Sequence, residues 1–365
     1  MRGSMVDLYN IVPGVGHSAL ALDGPVFADT FPFLTANLLG DVVYQGTANG
    51  TATTLAAAVT PAQITAGATS VQSAASLAAG TQFQIDTGNN AEIRTVSSVT
   101  GAGPFTLNFT QALRVPHASG VAVTPVGAPY MTLCSVLNGG GVGGQAQPAT
   151  HTLTDINQVT TAGARQYSSL AVEEIALKIS PEALYTHSSK AQAFLSAPAS
   201  APITGLAASG VGPTAGWQSS ISLAGTAVGS IESADLTLKR VIQVIQTADG
   251  TQQPYQIRRG PVSVEGKYRI IARDESPLLA YLAQNNVALS FAVDNGAVGA
   301  GQLQTRLDVG AARYITGTKI ARDKEAVAFE VQFASIPTAS LAGWSGGVSP
   351  VRCTHINAIA PNTYA

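Results

Sequence analysis

Charge is scarce in this chain. Lys, Arg, Asp and Glu make up only 11% of its 365 residues, against about a quarter in an ordinary soluble domain. Hydroxyls and amides must therefore keep the surface wet, and identical copies repel one another little, which favours dense self-packing. The formal net charge of -2 argues against a nucleic-acid binder, because neutralising phosphates takes clustered Lys and Arg. The densest basic spots, Arg258-Arg259 and Arg322 to Lys324, the latter interrupted by Asp323, read as solvated turns.

Cysteine is almost missing too. Cys134 and Cys353 lie far apart, without a second Cys or His at ligand spacing, so neither a zinc site nor a disulfide framework is signalled. A bond between the two stays open at this stage. No apolar run approaches the roughly 18 residues of a membrane span. The N-terminus has no basic region followed by an apolar core and cleavage site, so synthesis in a cytoplasm is expected. Met1 to Ser4, ahead of Met5, reads equally as a vector-derived leader or a native start and is set aside.

Helix signals are few. Ser276-Pro277 followed by Leu278, Leu279 and Leu282 gives an N-cap, a first-turn proline and one apolar stripe, closed by Asn285-Asn286. A second stretch, Phe31 to Leu39, is stopped by Gly40 and weakened by Pro32. Alternation dominates instead. Val327, Phe329, Val331 and Phe333 alternate with polar or small residues, as do Val287 to Val293, Ile175 to Ile179, and Val262 to Ile270 around Gly266. Asn295-Gly296 and Asp249-Gly250 are turn dipeptides that tolerate positive φ, which predicts hairpins and an antiparallel, all-β protein.

Residues 50–126 differ from their surroundings. No charged residue lies between Asp41 and Asp86, and the segment opens with the Thr/Ala-rich run from Thr51. Short strand signals follow at Phe83 and Ile85, at Ile93 and Thr95, at Phe105 to Phe109, and at Val121 and Val123, with a loop at Thr87 to Asn90. This pattern predicts a small inserted β-barrel or sandwich, leaving 1–49 and 127–365 as one discontinuous domain. Gly139 to Gly144 reads as a flexible loop, and Ala197 to Gly216 as a long surface connection.

Patterns that carry chemistry are thin. Gly343-Trp344-Ser345-Gly346-Gly347 matches a nucleophile elbow, but Pro350 and the strand-like run Val351 to Ile356 leave no room for the helix that the chemistry requires. Gly14-Val15-Gly16 with Ala19 lacks the preceding strand of a dinucleotide site. His17, His117, His151, His187 and His355 show no metal spacing and no carboxylate pair beside them. Glu173 and Glu174 begin a strand and should face opposite ways. Asp274-Glu275 suits a helix N-terminus. No catalytic, metal or cofactor site is expected.

Three successive segments are more specific: Ile231 to Arg240, Thr247 to Tyr255, and Gly260 to Lys267. In order and spacing they resemble the signatures of siphophage-type major tail tube proteins. Gly346 to Pro350 and Pro361 to Tyr364 are similar to that family's final strands, and Ala164 to Tyr167 with Gly216 to Gln218 to its earlier landmarks. The resemblance covers residues 128–365 well and 20–49 loosely, whereas 50–126 departs from the minimal pattern. It implies a β-sandwich flanked by a helix, six copies closing into rings, and rings stacking into a tube through which DNA leaves without being bound. Other tail proteins (tape measure, terminator, distal tail) would be its partners, and the virion tail its location. Ala248, Asp249, Gly250, Thr251, Gln252, Gln253, Pro254 and Tyr255 are the expected inter-ring arm, and the insert is expected outside the tube. The competing readings are an extracellular β-rich binding module or adhesin subunit and a capsid decoration protein.

Overall fold

The computed structural model describes residues 14–139, 147–156, 164–199, 210–271, 279, 282–283, 285–320, 328–361 and 363–364. The chain is built from antiparallel strands in two layers. The first layer runs, neighbour to neighbour, β1 (Ser18–Pro25), β12 (Thr186–Ala193), β11 (Ala164–Ile179), β16 (Ile231–Ile245), β17 (Gln256–Ile271), β20 (Ala328–Ser335) and the second half of β19 (Gln304–Ile320). The second runs β2 (Gly40–Ala48), β9 (Ala122–Val136), β21 (Val351–Asn357), the first half of β19, β18 (Val287–Asp294), β14 (Ser219–Leu223) and β15 (Thr226–Ala227). Two short strands, β10 (His151–Ile156) and β13 (Ala197–Pro198), pair with the early part of β11. One long strand, β19, thus belongs to both layers.

The alternation works as expected. Leu177, Leu238, Val264, Tyr268 and Phe333 of the first layer and Phe291, Leu307 and Cys353 of the second point into one core. Phe291 stacks on Phe333 between the layers at a centroid distance of 6.2 Å. Each fully buried side chain of this size contributes about 1.5–3 kcal/mol, so removing any one of them weakens the joint between layers. The run expected from Val327 is strand from Ala328 onward, and Val327 itself lies outside the described residues. Asn295-Gly296 opens a longer loop than a two-residue hairpin, since Asp294 pairs with Gln304.

Helix α1 (Phe31–Leu39) occupies the predicted span. Pro32 sits in the first turn, where its missing N–H costs nothing, and Gly40 ends the helix at φ 91°. A Cβ there would stand 2.5 Å from Pro148, so glycine is required for space as well as for backbone angle. The helix is mostly buried and packs against β11 of one layer and β2 and β9 of the other. The Ser276 to Leu282 helix falls almost wholly outside the described residues, although the Ala283 N–H does donate to the Leu279 carbonyl.

The end of α1 is held by two arginines. Arg240 on β16 donates to the carbonyls of Leu38 (2.6 Å) and Leu39 (3.2 Å), and Arg259 on β17 to that of Asn37 (3.2 Å). Arg259 also reaches the Ala149 and Leu170 carbonyls. A helix C-terminus presents unpaired carbonyls and partial negative charge, which two guanidinium groups satisfy together. Burial lowers both pKa values to about 10, so both stay charged at neutral pH. Asn37 completes the joint: its side chain donates to the Leu170 carbonyl (3.0 Å) and accepts from the Val172 N–H (2.7 Å). The expectation of a solvated turn at Arg258-Arg259 is therefore corrected: the pair lies within β17, and Arg259 is buried.

Residues 50–126, expected to be an insert and called so below, carry a second hydrophobic cluster, which includes Leu55, Val71, Phe83, Ile85, Leu107 and Val123. One small sheet joins β6 (Glu92–Thr95), β5 (Gln82–Ile85), the start of β9, and β3 (Thr53–Thr54). The other joins β4 (Ser70–Ser73), β8 (Phe105–Asn108) and β7 (Ser98–Thr100). A short helix, α2 (Pro61–Thr65), was not foreseen; Thr60 and Gln63 cap it reciprocally. Strand β9 crosses position 126 without a break, pairing with β3 and β5 at one end and with β2 and β21 at the other.

Arg259→Met should lower unfolding stability by about 3 kcal/mol, because it strips a charged donor from buried carbonyls. Urea denaturation checks this, with the exposed neighbour Arg258→Met as a control expected to change little.

Candidate functional site

The serine of the Gly343 to Gly347 loop is a structural group. Ser345 donates its hydroxyl and its N–H to one oxygen of the fully buried Asp41 carboxylate, the N–H at 2.8 Å, and its Oγ accepts the Asn138 N–H at 3.2 Å. Gly343 presses on that carboxylate so closely that a Cβ would stand 2.5 Å from Asp41 Cγ. Burial raises the Asp41 pKa, and Ser345 pulls it back part of the way. His355 is committed elsewhere, with Nε2 2.9 Å from Thr35 Oγ1 and Nδ1 3.4 Å from Thr305 Oγ1. Complete burial lowers its pKa to about 3, leaving it neutral. The serine and the histidine thus serve the packing, each with its own partners.

Cys134 and Cys353 stand directly opposite each other on β9 and β21, as free, fully buried thiols. Burial pushes the Cys134 thiol up to about 12 and that of Cys353 well above its ordinary value, so neither is a ready nucleophile. Glu173 and Glu174 do not begin a strand: they lie within β11 at a register shift against β12, and Val172 and Ile175 on either side of them are both in the core, so the strict alternation expected of the pair is broken. Glu173 accepts from Gln192, while Glu174 faces Lys190 and Lys239.

One histidine departs from expectation. His117 lies between two carboxylates, Nε2 3.2 Å from Glu92 and Nδ1 3.6 Å from Asp86. Glu92 also receives Arg94 (2.9 Å), Arg114 (3.4 Å) and the Arg114 N–H (2.9 Å). Burial alone would raise its pKa, but His117 and the two arginines outweigh that and hold it down at about 2. Arg94 spends its remaining donors on the carbonyls of Ile93, Gln111 and Ala112. Arg114 extends the cluster out of the insert, donating to the Val42 carbonyl on β2 and lying over the Trp344 ring at 5.5 Å. Among the described residues no group of three or more His, Cys, Asp or Glu is placed to hold a metal ion. With His117 at its centre, the cluster is a joint between insert and body.

The segment expected to be an arm is the loop closing the long β16–β17 hairpin, which pairs out to Ile245 and Gln256. Asp249 shapes its tip, accepting from the Thr251 N–H (3.1 Å), the Thr251 hydroxyl (2.9 Å) and the Thr247 hydroxyl (3.0 Å). Those bonds, the Thr251 N–H foremost, hold its carboxyl below the usual range. Gly250 takes φ 79°. Ala248 to Gln252 are exposed and Pro254 is buried. The base is tied down: the Gln252 carbonyl accepts the Gly16 N–H at 3.1 Å. Gln253 brackets the Leu195 backbone, accepting its N–H at 2.8 Å and donating to its carbonyl at 3.4 Å. Tyr255 leaves 66% of its surface in water.

The outward face of the first layer gathers charge in a chain otherwise poor in it. Glu174 lies 3.1 Å from Lys190 and 3.8 Å from Lys239, Asp235 3.4 Å from Lys267, and Glu232 2.8 Å from Arg269. Exposed pairs of this kind add little stability. Each pair does offset part of its own field, so these positions add little net charge to the face.

Among the described residues, β1 pairs on one side only, with β12, and positions 313–320 of β19 on one side only, with β20. An apolar hollow of about 330 Å³, lined by Leu22, Phe33, Leu34, Leu153 and Leu170, adjoins β1. Open strand margins beside apolar surface invite another chain.

A β-sandwich whose polar clusters serve its joints and whose margins stand open belongs to the class of structural, assembling proteins. A family model described as phage tail tube protein matches residues 10–333, and the chain belongs to that family. It is therefore a virion tail component. The match runs through the 50–126 segment and stops ahead of Gly346 to Pro350 and Pro361 to Tyr364. A comparison with curated proteins found no match. Among the described residues, no helix is long and apolar enough to cross a membrane.

Glu92 makes stability acid-sensitive. Its folded pKa of about 2 lies below the ordinary 4.5, so its contribution, about 3 kcal/mol by linkage, is complete above pH 4.5 and disappears as pH falls through 2. Denaturation at pH 7 and pH 3 should show this dependence reduced in Glu92→Gln, which should already be the less stable at pH 7.

Proposed function

We propose that this chain is the non-enzymatic, repeating wall subunit of the tail tube. Copies meet edge to edge, with β1 of one against residues 313–320 of the next, until six close a ring. Rings stack through Ala248 to Tyr255, and the tube conducts DNA into the host. The observation that carries this reading is the β16–β17 hairpin: a long ribbon, paired from Ile231 out to Ile245 and Gln256 with two register shifts, that ends in an exposed polar tip. Among the described residues, Gly16 and Leu195 hold the loop at its base, and Ala248 to Thr251 are exposed, which supports a tip directed at a neighbouring ring.

The charge-paired outer face of the first layer fits the bore of such a tube. Duplex DNA slides past a wall that neither attracts phosphate strongly nor repels it. The insert joins the body at β2 and β9, in the second layer, which supports an exterior position for it when the first layer faces inward. Other tail proteins, among them tape measure, terminator and distal tail components, would meet the tube at its bore and ends. Assembly takes place in the host cytoplasm.

Electron microscopy of concentrated protein should show rings or stacked tubes. Deleting Ala248 to Pro254 should leave a folded molecule, by circular dichroism, that no longer polymerises into tubes. Tubes of normal length from that variant would overturn the assignment of the arm.

A further inference from the structure

Strand β2 should be a third open margin, since among the described residues it pairs only with β9. Instead, the insert covers it. Backbone groups of alternate residues in a strand point to the same side, so Val42 and Gly46 share the margin turned away from β9. Both are taken by insert side chains: the Gly46 N–H donates to Gln84 Oε1 at 3.0 Å, and Arg114 Nη2 donates to the Val42 carbonyl at 2.5 Å. Beside them, Gln45 Nε2 reaches the Gly88 carbonyl at 3.1 Å. One acceptor and one donor, four residues apart, occupy positions that a neighbouring strand would otherwise fill.

These side chains are not loosely placed. Gln84 sits on β5 and also donates to the Asp86 carbonyl at 3.0 Å. Arg114 is fixed by Glu92 and Trp344. Val42, Val43 and Tyr44 are buried, while Thr47 and Ala48, at the far end of the strand, are exposed. An uncovered margin next to Val42, Val43 and Tyr44 would be apolar, β-prone and uncharged, which is the kind of edge that templates strand addition by a second copy.

We infer that the 50–126 insert is an edge guard. It withholds the β2 margin from other copies of this chain, so that association proceeds only through the remaining margins. The inference goes beyond the tube reading and holds whether or not rings form.

The test uses the full chain with Gln84→Ala and Arg114→Ala together, and a fluorescent peptide copying residues 40–48. Fluorescence anisotropy should show the double variant binding this peptide at least about tenfold more tightly than the unmodified chain. Its light scattering should also rise at lower protein concentration. Equal binding by both proteins, or binding by neither, would overturn the inference. Should the double variant lose its near-ultraviolet circular dichroism, Gln84→Ala alone carries the test, because it uncovers Gly46 without disturbing Glu92. Peptide binding by that variant above the unmodified level supports the guard, and its absence overturns it.

Discussion

The fold depends on how one helix ends. The last carbonyls of α1 fall inside the sandwich, among buried residues, and bare they would cost about 1–3 kcal/mol each. Arg240 and Arg259 answer them from β16 and β17, and Asn37 ties the same turn to β11. Three strands of the first layer are thereby fixed to the helix, which also lies against β2 and β9 of the second. The hairpin that bears the loop at 246–255 is thus anchored at its root by buried charge. A ribbon projecting from the body needs such a root if its tip is to have a defined position.

The same economy of charge shapes the rest of the molecule. Where charges are buried they are networked, as around Glu92, and join one part of the chain to another. Several of those exposed in the first layer are paired across strands. Elsewhere the surface relies on hydroxyls and amides, and sister molecules can approach it without strong repulsion.

Much of this was legible in the sequence. Strands such as Val287 to Val293 and Phe329 to Phe333 declare themselves because one face is buried and side chains alternate. Pro32 and Gly40 delimit α1 because each has only a few tolerable backbone settings. Arg259 was misread because its partners, Asn37 and Leu170, are remote in sequence, and adjacency to Arg258 suggested solvent. His117 failed for the same reason: Glu92 and Asp86 reach it through tertiary folding and not by spacing. The opposition of Cys134 and Cys353, the sharing of β19 between layers and the covering of β2 are matters of strand register, which local pattern leaves free. The residues proposed as an arm stand out by their turn dipeptide and polarity, but nothing in them foretells that Gln253 grips the Leu195 backbone.

Strand β9 has a mechanical consequence. It lies within the small sheet of the 50–126 segment at one end and between β2 and β21 at the other, with a register shift against β2 across Ala128 and Pro129, so that segment and the body share one strand. A pull on that segment is shared by the β9 backbone and by the bonds of Arg114, Gln84 and Gly88 to β2. Such a mounting transmits torque to the body, where a flexible tether would dissipate it.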